Sequence, residues 1–252
     1  SARREAAVNL KIKKGLEDRA AAEEATVTRL LSQRKATEDA AAADVAQDKA
    51  RYSELIKERA SVERRIATRI AKAAAGRKRA AERAAAERKR GAERKANKST
   101  TKQAQRSKQA RRSNHSTMSS AGHGFSYPVP VRVTSAFGMR FHPVLRYWKL
   151  HDGTDLGAGC GTPIRAPRKG RVAERYYNAG YGKRLMIDHG YVRGKYVTTG
   201  YNHASRYVVR VGQRVHKGQV IGYVGSTGFS TGCHLHLMVW LNGRLRNPMT
   251  WF

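Results

Sequence analysis

The sequence predicts a multidomain chain: an N-terminal long-helix or coiled-coil region followed by a C-terminal, mainly antiparallel all-β domain. Three observations carry this. Residues 1–120 hold no proline and almost no aromatics, and they are rich in Ala, Glu, Lys and Arg, the composition of long helix. Within them an apolar stripe recurs three, four or seven residues apart and stops after Ile70. From Tyr127 onward the composition turns Gly-rich, aromatic and β-branched. The expected domains are coiled-coil helices over 1–71, a basic low-complexity helix and linker over 72–124, and the β domain over 125–252.

In the first region Val8, Ile12, Leu16, Val27, Leu30, Leu31, Val45, Tyr52, Leu55, Val62, Ile66 and Ile70 form a narrow stripe, interrupted at Glu38 and Arg59. A stripe of that width packs against one other helix as a seam. The competing reading is a single solvated helix held by i,i+4 charge pairs. Beyond Ile70 nothing large is available to bury, so residues 72 to about 90 read as frayed helix and the remainder as basic linker.

In the last region candidate strands run over 131–135, 170–175, 184–188, 196–202, 219–224 and 234–241. Turn signals such as "NAGYG", "DHG" and "LNGR" punctuate them. About 125 residues suffice for a core of their own, and no β-α-β alternation is present.

The net charge of +32 is shared between the halves: residues 1–120 carry 32 Lys and Arg against 15 Asp and Glu, and residues 121–252 carry 19 against 4. A surface this positive attracts polyanions, and charge alone does not choose among nucleic acid, acidic lipid and an anionic wall. No aromatic arrangement for base stacking and no helix-turn-helix is visible, so specific nucleic-acid binding is not expected. No run approaches the ~20 apolar residues of a membrane span. The opening "SARREAAVNL" lacks the apolar core of a signal peptide.

The chemistry is concentrated in "STGCHLHLMVW". In a strand, residues i and i+2 share a face, so His234 and His236 project together while Cys233, Leu235 and Leu237 face the other way. A lone His-x-His needs partners. "KLHDGTDLGAG" supplies them, with His151 and Asp155 four apart around Gly153. Two imidazoles and a carboxylate form the three-ligand set of a catalytic zinc, whose fourth position takes water. His203 in "TTGYNHAS" is a candidate base beside that set. An HExxH helix, the other common zinc-protease signature, is absent.

These segments resemble the lysostaphin-like, or LytM-type, zinc endopeptidases that cut peptide cross-bridges of bacterial peptidoglycan. The resemblance runs through "SAFGMRFHPVLRYWKLHDGTDLGAGCGTPIRAPRKGRV", "LMIDHG", "YNHAS" and "VGQRVHKGQVIGYVGSTGFSTGCHLHLMVWLNGRLRNP", in order, nearly all of residues 127–252. By position it implies zinc held by His151, Asp155 and His236. It also implies catalytic histidines at His203 and His234 and a substrate-contacting tyrosine for which Tyr147 is the nearest counterpart. Ala204 stands where the family usually shows leucine, which predicts looser packing behind His203. In such a site one histidine takes the water proton and the other donates to the developing oxyanion; spacing does not say which.

Cys160 and Cys233 are the two cysteines and both flank this site. A disulfide is the expected pairing, with two buried thiols as the alternative. A bridge would place the protein in an oxidising, extracytoplasmic compartment, secreted or wall-associated. The expected partners are peptidoglycan, anionic wall polymers and a divisome or wall protein docked on the helices. A catalytically inactive coiled-coil regulator of other wall hydrolases is the rival reading, distinguished by missing metal ligands. "VVRVGQRVHKGQVIGYVG" also resembles the hairpin of biotinyl and lipoyl carriers, but no Met-Lys-Met-like turn accompanies it.

Overall fold

The computed structural model describes residues 2–99, 123–142 and 147–252, with side chains of 2–94, 123–141 and 148–252. It comprises a helix α1 (Ala2–Ser99) and thirteen strands among the described residues: β1 (Val133–Ser135), β2 (Gly138–His142), β3 (Tyr147–His151), β4 (Thr154–Gly157), β5 (Pro163–Arg165), β6 (Gly170–Asn178), β7 (Gly182–Val192), β8 (Lys195–Asn202), β9 (Arg206–Tyr207), β10 (Arg214–Val215), β11 (Val220–Tyr223), β12 (His234–Leu241) and β13 (Arg244–Arg246). Two compact units divide the chain, Ser1–Ile56 and Lys57–Phe252.

In the first unit the helix presents Val8, Ile12, Leu16, Val27, Leu30 and Leu31 to solvent, each more than half exposed. The helical stretch foreseen there is present; a seam against a second helix is not among the described contacts. The helix also continues unbroken through residues 72–99, because Ala, Glu, Lys and Arg are strong helix formers even without an apolar face. Residues 100–122 of the expected linker lie outside the described residues.

The second unit is built on an eight-stranded antiparallel sheet in the order β1-β4-β12-β8-β7-β6-β10, with β13 pairing β12; smaller sheets are β5-β11-β9 and the β2-β3 hairpin. Strand alternation makes the core. Leu235 and Leu237 of β12, Leu185 and Ile187 of β7, and Tyr201 of β8 turn to one side and are buried with Leu156, Ile164, Ile221 and Val224. Such burial contributes about 1.5–3 kcal/mol per large side chain. Ala204 is fully buried in the same cluster.

On the opposite face of the sheet, β12 carries His234, His236, Met238 and Trp240. The helix residues Val62 and Ile66, read as part of a coiled-coil seam, are instead wholly buried within this unit, and Ile66 and Ile70 approach the turn at Gly243. Charge fixes the same docking. Arg69 reaches both Glu174 and, at 2.8 Å, Asp188, while Arg65 spans Glu174 and Glu58 at 3.1 and 3.2 Å. Glu58 in turn accepts a 2.6 Å hydrogen bond from the Tyr176 hydroxyl.

Candidate metal centre

The pairing of strands assembles the site. Asp155 of β4 and His236 of β12 are direct antiparallel partners, which sets their side chains on one face, close enough to touch. His151 closes the β2-β3 hairpin opposite Gly138 and enters from the side. His151 Nε2, Asp155 Oδ1 and His236 Nδ1 then form a triangle: 3.1 Å between the two nitrogens, 3.2 Å from His151 to Asp155, and 2.8 Å from His236 to Asp155.

Three ligands placed tetrahedrally around zinc at 2.0–2.1 Å stand about 3.3 Å apart. Two edges of the observed triangle are about 0.1–0.2 Å and the third about 0.5 Å short of that figure, so small side-chain shifts let the residues present fit the ion. His151 Nδ1–H donates to the carbonyl of Ala136 at 2.7 Å, so Nε2 is the nitrogen turned to the centre. Gly153 is required in the loop between the ligands because a Cβ there would lie 2.5 Å from His236 Nε2 and 2.6 Å from the Leu237 carbonyl.

Electrostatics agree with a cation site. Burial alone would raise the Asp155 carboxyl, but hydrogen bonds from His151 and His236 outweigh it and hold it well below the usual carboxylate range. Burial alone would lower the His236 imidazolium; the carboxylates of Asp152 and Asp155 overcome that and raise it to about 9.

His203 and His234 stand beside the triangle, with ring centroids 4.8 Å apart. Each commits Nδ1–H to a backbone carbonyl, that of Thr227 at 2.7 Å for His203 and that of Gly232 at 2.8 Å for His234. Each Nε2 is thereby left free to accept a proton, and His234 Nε2 lies 3.6 Å from Asp155 Oδ1. His203 sits just past the end of β8 at φ 61°, an uncommon conformation for a residue other than glycine. Burial, followed by the charge of His236, lowers its pKa to about 4, so its imidazole is neutral at pH 7. Gly182, at φ +64°, lets β7 pass under this loop; a Cβ there would meet the Thr227 carbonyl at 2.2 Å.

Cys160 and Cys233 form a disulfide with Cα atoms 5.2 Å apart, tying the β4-β5 loop to the residue preceding His234. The backbone of Tyr147 pairs with His142; its side chain lies outside the described residues. Sequence reasoning missed three neighbours of the site: Asp152, Tyr181 and Arg184. Their only signals were a carboxylate inside the ligand motif and an aromatic in the "NAGYG" turn.

A β domain with a His-Asp-His cluster positioned for a single Zn²⁺ is of the metallopeptidase class. Residues 149–248 match the sequence model of Peptidase family M23, and the domain is a zinc-peptidase domain of that M23, or LytM, type. The triad is the one typical of M23 zinc metalloendopeptidases.

Among curated relatives, the DD-carboxypeptidase/endopeptidase Mpg of Neisseria meningitidis is 43% identical over 122 residues, 48% of this chain and 27% of that protein. The peptidoglycan DD-endopeptidase ShyC of Vibrio cholerae is 43% identical over 120 residues, 47% of this chain and 27% of that protein. A zinc-containing peptidase from Vibrio cholerae of known structure is 34% identical, with a TM-score of 0.47, over 50% of this chain and 39% of that one. The chain thus spans about a quarter of the length of the curated relatives named here.

Proposed function

We propose that the β domain is the catalytic part of an extracytoplasmic zinc endopeptidase that hydrolyses peptide cross-links or stem peptides of bacterial peptidoglycan. The observation that carries this is the convergence of His151, Asp155 and His236 on one point with two further imidazoles beside it. The matched relatives described as peptidoglycan endopeptidases support the substrate class.

Zinc held by His151, Asp155 and His236 would supply Lewis acidity toward a scissile carbonyl and lower the pKa of water toward about 7. His203 and His234 supply the proton traffic, one accepting at Nε2 and the other donating from Nε2 to the charge that develops on oxygen. Their Nδ1–H bonds to backbone carbonyls orient both rings for this work. Tyr147, the first residue of β3, is proposed to contact the substrate. The rival reading of an inactive regulator is disfavoured, because no ligand and neither histidine is missing.

An anionic wall polymer as partner has support from charge. All four carboxylates of residues 121–252 are engaged internally: Asp152 and Asp155 with the histidines of the metal centre, Glu174 and Asp188 with Arg65 and Arg69 of the helix. None is left at the surface to offset the 19 basic residues of that region. The exposed apolar stripe of the first unit offers a docking face for a divisome or wall protein. The disulfide supports an oxidising compartment. No helix among the described residues is long and apolar enough to cross a membrane.

Digestion of defined muropeptides by the zinc-loaded full chain, followed by mass spectrometry, tests the proposal. Cleavage of a peptide bond that stops with chelator is expected; intact muropeptides with zinc bound would refute it.

A further inference from the structure

We propose that Asp152, set in place by Tyr181, is a positioning residue that holds the outer nitrogen of His236 and so keeps His236 Nδ1 turned to the metal.

The need arises from the geometry of the two ligand imidazoles, which face the centre through opposite nitrogens. His151 presents Nε2 and anchors Nδ1 on the Ala136 carbonyl. His236 presents Nδ1, so its proton must reside on Nε2, inside the protein where a donor without an acceptor is costly. The ring is 5% exposed. The carboxylate that faces Nε2 is Asp152 Oδ1 at 3.3 Å, an ion-pair contact; Nε2 is buried and has no hydrogen-bond partner among the described residues, so this carboxylate is the acceptor placed for it. Histidine ligands to metals generally carry such an outer acceptor, which fixes both tautomer and ring angle.

Asp152 is itself held. Its second oxygen accepts the Tyr181 hydroxyl hydrogen bond, leaving Oδ1 for His236. The Tyr181 ring is held from its far side by the Arg184 guanidinium, 4.2 Å from the ring centroid. Arg184 is fully buried, bonds Met238 Sδ at 3.4 Å, and its Nη1 lies 3.8 Å from Glu58. Its Nε and Nη1 have no hydrogen-bond partner among the described residues. Tyr181 also accepts the backbone N–H of His203 at 2.9 Å through its carbonyl. One residue thus touches the ligand side of the centre with its side chain and the His203 side with its backbone.

The inference rests on the reading of His151, Asp155 and His236 as a zinc site, and the experiment separates the two. Zinc affinity of the full chain is measured by competition with a chromophoric chelator for wild type, Asp152→Ala, Asp152→Asn and Tyr181→Phe. Nitrogen-15 NMR of the histidines reports the His236 tautomer in the same samples. Wild type is expected to bind zinc with Nδ1 ligated and Nε2 protonated. Asp152→Ala should weaken zinc 10–100-fold and lose the single tautomer, with Asp152→Asn and Tyr181→Phe intermediate.

Should Asp152→Ala not fold, the two milder variants decide the matter by the same readouts. Zinc bound by the variants within twofold of wild type, with the His236 tautomer unchanged, would overturn the inference alone. Wild type that binds no zinc would overturn the underlying site.

Discussion

His203 and His234 face each other beside the ligand triangle, 31 positions apart in sequence and 4.8 Å apart between ring centroids, each anchored through Nδ1 to a carbonyl. Neither occupies a corner of the triangle. Replacing either by alanine should therefore leave zinc stoichiometry at wild-type level while lowering kcat 10²–10⁴-fold, the usual worth of a positioned proton-transfer group. Zinc content and muropeptide kinetics on the same preparations check this, and unaltered kcat in both variants would remove the two histidines from the chemistry.

Zinc affinity should depend on pH through His236. With a pKa raised to about 9 in the metal-free protein, this imidazole is protonated at pH 7 and must release that proton on ligation. Affinity should fall about tenfold per pH unit between pH 8 and 6.5 from this group alone. Calorimetry in buffers of different ionisation enthalpy should count about one proton released per zinc, whereas a pH-independent affinity would contradict the assignment.

Acid should destabilise the fold through His189, which lies away from the metal centre. Burial, partly offset by a hydrogen bond to the Lys169 carbonyl, lowers its pKa to about 4. The folded value lies below the unfolded value of about 6.5, so the unfolded chain binds the extra proton in that window. Its contribution is intact above pH 6.5 and is lost as pH falls to 4, by roughly 3 kcal/mol. Urea midpoints of wild type and His189→Gln at pH 7.5 and 4.5, in chelator, should show a smaller pH effect in the variant.

The Cys160–Cys233 bridge closes a loop of 73 residues in sequence separation. Loop-closure entropy assigns such a bridge roughly 4 kcal/mol. The double Cys→Ser variant should lose about that stability in urea titration and, because Cys233 adjoins His234, should lose activity beyond its loss of zinc. Equal stability of bridged and serine forms would show the bridge to be thermodynamically silent.

The two ligand motifs were legible in the sequence because each is local, while the choice of His236 over His234 as the third ligand came from the family resemblance. His-x-His uses the two-residue repeat of a strand, and the Gly153 loop brings His151 and Asp155 to one side. The β strands were legible where apolar, aromatic and β-branched runs stand between turn signals, as in β7, β8 and β12. The β2-β3 hairpin escaped because "GMRFH" and "YWKLH" mix charge with aromatics and lack the alternation of a half-buried strand. Asp152, Tyr181 and Arg184 escaped because their roles depend on a meeting of the β3-β4 loop with β7 that no short window encodes. Val62 and Ile66 were read with the right periodicity and the wrong partner: a helical stripe states that a face is buried but not whether a helix or a sheet buries it.

The most direct test is zinc-edge X-ray absorption on the zinc-loaded full chain beside His151→Ala and His236→Ala. One zinc per wild-type chain, bound by two imidazoles and oxygen with no sulfur, and lost from both variants, is the expected result. A sulfur ligand, or full zinc occupancy after loss of either histidine, would contradict the assignment of the centre to His151, Asp155 and His236.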